Sequence, residues 1–303
     1  MEQKEKIIVI VGPTASGKSA LAVTIAKNIG GEIISADSRQ IYQGLTIGTG
    51  KITKSEMHGI PHHLLDIANP KQIISVVTYE QHATQAILNI IDRGTTPILC
   101  GGTGLYIDTV LTRTTFPSVL PNKKLRTELS KLSTTKLFEK LIILDPDRAA
   151  TIDAKNPHRL IRAIEIATAI GNVPLTTYNL QPTISPYDSL IIGLALPPEE
   201  LTSNIHARLI KRLRRGMVAE VCKLHNNGLS WKRLETLGIE YKFISQFLQN
   251  KISRDEMISS IEKESRHYAK RQMLWFKRNK KIYWFHPNDH IKIVGLVNKF
   301  FKK

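Results

Sequence analysis

Short aliphatic runs alternate with helical patterns along the first third of the chain. Residues Ile7–Val11 are all aliphatic, which is the pattern of a strand buried on both faces. The predicted elements, in order, are strand 7–11, helix 20–29, strand 32–36, helix 79–91, strand 97–100 and a helix after Gly104. This alternation predicts an α/β fold with a parallel sheet and crossover helices.

The pattern changes at about Thr114, where helical segments with many polar residues begin and continue to about Asp188. Ser189–Leu196 then returns to the composition of a buried strand and stops at two prolines. We therefore expect an α/β core made of residues 1–113 and 188–303, interrupted by a helical insertion domain at 114–187. The region after Glu199 is predicted to be mostly helical.

Positive charge is concentrated in the last third of the chain. Residues 201–303 hold 23 of the 43 Lys and Arg residues, 8 of the 26 acidic residues and all three tryptophans. A capping box at Ser253–Glu256 opens a helix predicted to run to about Lys277. Four basic residues of this helix share one face: Lys263, Arg266, Lys270 and Lys277. A basic, aromatic-rich region favours a nucleic-acid partner, and the alternative is a solvated basic face over an aromatic core.

Composition excludes several classes of protein. The longest purely aliphatic run, Ile7–Val11, is far shorter than the ~20 residues of a membrane helix, and the charged residues before it leave no room for a signal peptide. Cys100 and Cys222 are the two cysteines, too few for a disulfide framework or a cysteine-based zinc site. We expect a soluble, cytoplasmic protein without a membrane partner.

A glycine-bearing loop between the first predicted strand and helix fits the phosphate-binding pattern G-x4-G-K-[ST]. Its backbone N–H groups and the helix N-terminus are expected to surround an anion. Lys18 would reach the outer phosphate, and the Ser19 hydroxyl would ligate Mg²⁺. The predicted phosphate-binding residues are Gly12, Pro13, Thr14, Ala15, Ser16, Gly17, Lys18 and Ser19.

A nucleotide hydrolase with such a loop should also have an apolar strand that ends in an aspartate on the magnesium side. Two runs fit loosely: Ile33–Asp37 and Leu141–Asp145. The second run is ambiguous, because Leu137, Leu141 and Leu144 also fit one helical face. The guanine-reading pattern N-K-x-D does not occur in the sequence. At this point a small-molecule kinase remains possible.

The segment Ile34–Tyr42, continued through Gly48–Lys51, decides among these classes of protein. Five further motifs stand along the chain, at 12–19, 61–67, 101–106, 156–162 and 269–272. In these motifs and in their order, the chain resembles the tRNA dimethylallyltransferases, also called isopentenylpyrophosphate transferases, over nearly its whole length. The resemblance implies a P-loop NTPase-like core with a parallel sheet, a helical insertion domain and a helix-rich basic C-terminal region.

The resemblance implies transfer of a dimethylallyl group from dimethylallyl diphosphate to N6 of adenine 37, beside the tRNA anticodon. Diphosphate would then leave from an anion cradle that includes Lys18 and Mg²⁺. Asp37 follows a predicted parallel strand, at the edge where such sheets bind ligands, and by resemblance is the general base for N6. The alternative role of Asp37 is a helix cap or an outer ligand of magnesium. Thr103 resembles the family's threonine near the reacting groups, and otherwise caps a tight turn.

The resemblance also assigns residues to the diphosphate and to the tRNA anticodon stem-loop. Arg271 resembles an arginine directed at the diphosphate, although it could equally face RNA or solvent. The start of the helix after Asn156 carries cationic side chains against the helix dipole, which is typical of a functional site; the alternative is ordinary surface arginines. The residues expected to contact tRNA are Asp37, Ser38, Arg39, Gln40, Thr103, Arg126, His158, Arg159, Leu160, Ile161 and Arg162.

The chain departs from the family pattern in its insertion, which looks short across 114–150, and at two further places. Gly50 stands where the family usually has alanine, and residues 235–241 are longer than its usual Gly-Tyr-Lys pattern. Three other functions remain open: an adenylate isopentenyltransferase, a kinase of a small hydroxyl substrate, and an RNA-binding module whose loop senses nucleotide. The basic C-terminal region disfavours the first of these, because a mononucleotide needs no such surface. A monomer is expected.

Overall fold

The computed structural model describes residues 4–112, 116–171 and 185–302. It divides into two compact units, Met1–Leu111 with Pro186–Lys303, and Thr112–Ser185. The predicted domain boundary at 113–114 lies outside the described residues. Within the described ranges, no helix has the length and apolarity needed to cross a membrane.

The first unit is built on one parallel sheet of six strands. In chain order the strands are β1 (Glu5–Val11), β2 (Gly31–Ala36), β3 (His62–His63), β4 (Thr96–Gly101), β5 (Tyr187–Leu194) and β6 (Tyr283–Phe285). Their order across the sheet is β3-β2-β4-β1-β5-β6, and every pair is parallel. The α/β fold class predicted from the alternation of elements is confirmed. Strand β3 was not predicted, because two residues carry no periodicity.

Helices cover the sheet and fill the C-terminal part of the first unit. In chain order they are α1 (Lys18–Ile29), α2 (Lys54–Met57), α3 (Val76–Asp92) and α4 (Gly104–Thr112) before the second unit. After it come α9 (Pro198–Arg214), α10 (Met217–Asn226), α11 (Trp231–Leu234), α12 (Ile239–Leu248), α13 (Arg254–Phe276) and α14 (His290–Lys302).

Strand β1 is buried on both faces, as its composition predicts. Ile7, Val9 and Val11 belong to one hydrophobic cluster, whereas Ile8 and Ile10 belong to another. Side chains alternate across a strand, so the two clusters lie on opposite faces of the sheet. The central strand therefore joins two cores and gives the loop that follows it a rigid base.

Helix α13 begins with the predicted capping box, in which Ser253 and Glu256 bond to each other's backbone N–H groups. Met257 and Ile261 are buried on the side that faces the core. The basic residues on the opposite side are all exposed: Lys263, Arg266, Lys270 and, just after the helix, Lys277. The structure thus confirms an amphipathic helix with a cationic outer face.

The second unit contains helices α5 (Lys123–Leu129), α6 (Thr134–Leu144), α7 (Pro146–Thr151) and α8 (Pro157–Ile170). Leu137 and Leu141 pack with Leu160 and Ile164 in its hydrophobic core. The ambiguous run at 141–145 is therefore helical. Asp145 accepts the backbone N–H of Arg148 at 2.9 Å and caps α7, so its role as an aspartate at a strand end is wrong.

Candidate functional site

Three neighbouring strands carry the predicted reactive groups at their carboxyl ends. The phosphate loop follows β1, Asp37 follows β2 and Thr103 follows β4. Strand β4 lies between β1 and β2 in the sheet. Parallel strands end at the same edge, so these three segments converge at one place.

The phosphate loop is shaped by close backbone packing. A side chain on Gly12 would place its Cβ 2.6 Å from the carbonyl oxygen of Leu194 on β5, so glycine alone fits there. Ser16 is buried and donates to the carbonyl oxygen of Pro13 at 2.9 Å. Helix α1 begins at Lys18, and its free N–H groups therefore lie at the loop, as an anion site requires.

Lys18 lies at the floor of this loop and donates from Nζ to the carbonyl oxygen of Pro13. Burial lowers the pKa of Lys18 to about 8, although the neighbouring Cys100 and Asp37 act in the opposite direction. A buried ammonium without a paired carboxylate is poorly compensated, and a bound anion restores that compensation. The lysine is thus electrostatically prepared for an anionic ligand.

Asp37 combines a structural contact with a free carboxylate oxygen. Its Oδ1 accepts the backbone N–H groups of Arg39 at 2.8 Å and Gln40 at 3.3 Å. Its Oδ2 accepts no hydrogen bond from any described residue. Thr103 closes the same corner, because its Oγ1 accepts the backbone N–H of Ser38 at 3.1 Å. Asp37 therefore caps the turn with Oδ1 and keeps Oδ2 available to a ligand.

Helix α13 supplies two side chains to this site. Gln272 is buried; its Oε1 accepts the backbone N–H of Thr14 and its Nε2 donates to the carbonyl oxygen of Gly102, both at 2.8 Å. Tyr268 lines the same cavity, and burial raises its pKa to about 12, with a further contribution from Asp37. Neither side chain was assigned a role from the sequence.

Helix α9 contributes an arginine that sequence reasoning also missed. Arg208 donates to the Thr14 hydroxyl at 3.0 Å and approaches the carbonyl oxygen of Thr49 at 3.4 Å. The region 201–303 has 23 basic residues. The one sequence signal that could have singled out Arg208 among them is its spacing of one helical turn from Arg212.

Most of these groups line one cavity of about 680 Å³, whereas Gly12, Pro13 and Thr103 are not part of its wall. Its walls include Lys18, Ser19, Asp37, Arg208 and Tyr268. Protein magnesium sites commonly use one hydroxyl or carboxylate together with substrate phosphates and water. The exposed Ser19 hydroxyl on the cavity wall is a donor of this kind, which substrate phosphates and water would complete, so the residues present fit Mg²⁺. Among the described residues, no three or more His, Cys, Asp or Glu side chains are grouped so that they could hold a metal ion.

Three further predicted residues of the first unit differ in their relation to the cavity. Arg271 is exposed, is not part of the cavity wall, and lies over the ring of Tyr268 at 5.8 Å. The structure thus brings Arg208, rather than Arg271, to the phosphate loop. Gln40 lines the cavity, whereas Arg39 is exposed.

The predicted RNA residues of the second unit differ in exposure. His158 and Arg159 are exposed at the start of α8, which Asn156 caps through the N–H of Arg159 as predicted. Leu160 is fully buried in the core of the unit, so its side chain cannot take the predicted part in an RNA contact. Ile161 is partly buried against the same core.

Two predicted cations of the second unit share one buried carboxylate. Glu165 accepts two hydrogen bonds from Arg126, at 2.9 and 2.7 Å, and one from Arg162 at 2.5 Å. Burial alone would raise the pKa of Glu165, but these bonds and the N–H of Asn122 outweigh it and lower the pKa to about 2. The cluster keeps one net positive charge.

The fold and the loop at 12–19 define a P-loop α/β protein. The model of the IPP transferase family matches residues 40–279, and the chain therefore belongs to this family. A tRNA dimethylallyltransferase of Bacillus pumilus is 40% identical over 287 residues, which cover 93% of this chain and 90% of the relative.

Solved structures agree with this assignment. A tRNA isopentenylpyrophosphate transferase from Bacillus halodurans has a TM-score of 0.74 and 35% identity, covering 99% of this chain and 97% of its own. A eukaryotic dimethylallyltransferase acting on tRNA has a TM-score of 0.82 and 26% identity, and the match covers 98% of this chain and 80% of the eukaryotic chain. The family resemblance inferred from the motifs is confirmed.

Proposed function

We propose that this protein transfers a dimethylallyl group from dimethylallyl diphosphate to N6 of adenine 37, next to the anticodon of tRNA, and releases diphosphate. The names of its relatives and its family support this reaction. The observation that carries the proposal is that Asp37 has a free carboxylate oxygen in the same cavity as an anion-binding loop.

The phosphate loop holds the leaving group. As the bond between the allylic carbon and the diphosphate oxygen breaks, its electron pair moves to the diphosphate. The N–H groups of the loop, Lys18 and Arg208 stabilise the negative charge that develops there. Lys18 exchanges the carbonyl oxygen of Pro13 for a diphosphate oxygen when the substrate binds.

Asp37 receives the proton that the amino group loses. The N6 lone pair is delocalised into the adenine ring, so removal of a proton during attack favours formation of the new carbon–nitrogen bond. Thr103 holds the backbone of Ser38 and thereby the direction of the Asp37 carboxylate. The turn bonds to Oδ1 leave Oδ2 as the atom that accepts the proton.

Mg²⁺ is the proposed cofactor, and Ser19 and the diphosphate would hold it in the cavity. When bound, it supplies positive charge to the departing diphosphate. The substrate adenine must leave its stack in the anticodon loop to reach a site at the edge of the sheet. We assign the approach of the anticodon stem-loop to Ser38, Arg39 and Gln40, to the exposed start of α8, and to the cationic face of α13.

One assay tests this function against its rivals. The protein is incubated with Mg²⁺, unmodified tRNA and labelled dimethylallyl diphosphate, with AMP and ATP in parallel reactions. Label in tRNA is the expected result. Label on AMP would indicate an adenylate isopentenyltransferase, and phosphate release from ATP would indicate a kinase or a nucleotide sensor.

A further inference from the structure

Two arginines on α9 meet at Gly50. A Cβ built on Gly50 would lie 1.8 Å from Nη2 of Arg212 and 2.3 Å from Nη2 of Arg208. Gly50 has a left-handed φ of 59°, which other residues rarely adopt. The absence of a side chain at this position therefore makes room for both guanidinium groups.

Arg212 is fixed from the other side by Glu240, at the start of α12. Nη1 of Arg212 donates to Oε1 of Glu240 at 2.9 Å and to the carbonyl oxygen of Gly48 at 3.2 Å. The arginine is 8% exposed, and its Nη2 is buried without a hydrogen-bond partner among the described residues. The ion pair with Glu240 thus compensates a charge that is otherwise poorly satisfied.

The neighbouring Arg208 has a different set of partners. It bonds to the Thr14 hydroxyl and to the carbonyl oxygen of Thr49, and forms no ion pair with a described carboxylate. Two guanidinium groups at van der Waals distance repel each other unless one is neutralised. Because Glu240 neutralises Arg212, Arg208 can remain beside it with its own charge directed to the phosphate loop.

We propose that Glu240 is a positioning residue for diphosphate binding. By holding Arg212 against Gly48 and Gly50, it keeps Arg208 on Thr14 and so raises the affinity of the phosphate loop for a diphosphate. This inference rests on the proposed function, because the diphosphate is that of the prenyl donor. Gly50 and the segment that contains Glu240 are two of the departures from the family pattern, and Arg212 lies against both.

Burial raises the pKa of Glu240, while Arg212 opposes this rise and Asp37 adds to it. The carboxylate is thus costly to keep charged except beside the arginine.

The first test compares Glu240→Gln with Glu262→Gln. Glu262 is a matched control, because its side chain has the same 20% exposure and pairs with His206 of α9 and Arg266 of α13 rather than with Arg208 or Arg212. The readouts are KM for dimethylallyl diphosphate, KM for tRNA, kcat, and the affinity for inorganic diphosphate by calorimetry. Glu240→Gln should weaken inorganic diphosphate binding and raise the donor KM by about tenfold, with KM for tRNA unchanged. Glu262→Gln should leave the donor KM and the affinity for inorganic diphosphate unchanged.

A second variant approaches the same arginines from the other side. Gly50→Ala should also raise the donor KM, because its Cβ displaces both guanidinium groups. In the double variant the two effects should be less than multiplicative, since both act through the position of Arg208. If Glu240→Gln does not fold, the affinity of Gly50→Ala for inorganic diphosphate replaces it as the test, and that affinity should also be weakened.

A purely structural role for Glu240 would lower the melting temperature and kcat and leave both KM values and diphosphate affinity unchanged; that result would overturn the inference. Multiplicative effects in the double variant would overturn it as well. If the wild-type protein binds inorganic diphosphate but transfers no dimethylallyl group to tRNA, the proposed function fails, while the comparison of variants still decides the role of Glu240.

Discussion

Gln272 accepts the backbone N–H of Thr14 and, through its other amide atom, donates to the carbonyl oxygen of Gly102, each at 2.8 Å. A Cβ on Gly102 would lie 2.2 Å from this amide nitrogen, so the fit leaves no space for another side chain. One side chain of α13 thereby joins the phosphate loop after β1 to the loop after β4 that carries Thr103. The same helix presents its cationic face to the outside.

Replacement of Gln272 by Glu should loosen the phosphate loop. The variant loses the donor to Gly102 and places a carboxylate against a carbonyl oxygen, in a cavity meant for an anion. A buried hydrogen bond left unsatisfied costs about 1–3 kcal/mol, so we expect KM for dimethylallyl diphosphate to rise about tenfold or more. Steady-state kinetics with varied donor measures this.

Gln249→Glu is the matched control for this prediction. Gln249 also donates its amide to a carbonyl oxygen, that of Ser245 at 2.9 Å, at the end of α12. Its removal should leave the donor KM unchanged. Equal effects of the two variants would mean that Gln272 does not position the loop.

Replacement of Asp37 by Asn should abolish most turnover without unfolding the turn. Asn retains an oxygen that can accept the N–H groups of Arg39 and Gln40, but it cannot take a proton. We expect kcat to fall by about 10²–10⁴-fold, the usual contribution of a general base. The affinity for tRNA, measured by filter binding, should stay within a few-fold of the wild type.

Asp188→Asn is the control, because it makes the same chemical change at an exposed position at the start of β5, and it should leave kcat unchanged. A large loss of tRNA binding in Asp37→Asn would make Asp37 a recognition residue rather than a base. Asp37→Ala is expected to be less informative, because it also removes the oxygen that caps the turn.

Sequence patterns of a few residues predicted the part of the site that is formed by neighbouring residues of the chain. The apolar run of β1, the glycine loop and Asp37 after β2 each have a signature within a few residues. The local patterns around Arg208 and Gln272 did not assign these residues to the phosphate loop. They reach the loop from distant helices, and only packing decides which basic or amide side chain arrives there. The resemblance pointed to Arg271, one position before the glutamine that contacts the loop.

Ambiguity in the second unit had a similar origin. The run at 141–145 has the composition of a strand, yet Leu137 and Leu141 lie one turn apart, and burial of both against α8 selects the helix. Leu160 was predicted to contact tRNA because it belongs to the motif 156–162, most of which was assigned to RNA by resemblance. A motif identifies a segment, but the helix geometry decides which of its side chains face the core.

The affinity for the diphosphate substrate should fall as the pH rises above about 8. Burial lowers the pKa of Lys18 to about 8, so the ammonium is mostly charged below that pH and mostly neutral above it. Cys100 and Tyr268, with pKa values that burial raises to about 12, do not titrate in this range. We expect kcat/KM for the donor to fall about tenfold per pH unit on the alkaline side.

Binding of inorganic diphosphate to Asp37→Asn provides a second measurement of the same lysine. The Asp37 charge raises the pKa of Lys18, so its removal should move the alkaline decline to lower pH. Lys18→Met should show weak binding without a decline. A wild-type decline that begins near pH 10 would mean that the lysine is not buried as described.

Glu165 should be the principal electrostatic contributor to the stability of the second unit. Its side chain is 1% exposed and pairs with both Arg126 and Arg162. Glu165→Gln leaves two arginines partly unpaired, and we expect a loss of about 3 kcal/mol in the free energy of unfolding at pH 7. Glu139→Gln, an exposed change on α6, should cost much less.

The acid dependence of this difference distinguishes charge pairing from packing. The pKa of Glu165 is lowered in the folded protein from its ordinary 4.5 to about 2, so the folded state binds the proton more weakly than the unfolded state. Its stabilisation is complete above the unfolded pKa and declines as the pH falls from about 4.5 towards 2. The wild type and Glu165→Gln should therefore converge in denaturant unfolding over that range. A difference that persists unchanged to pH 2 would show that the shape of the glutamate, rather than its charge, holds the two arginines.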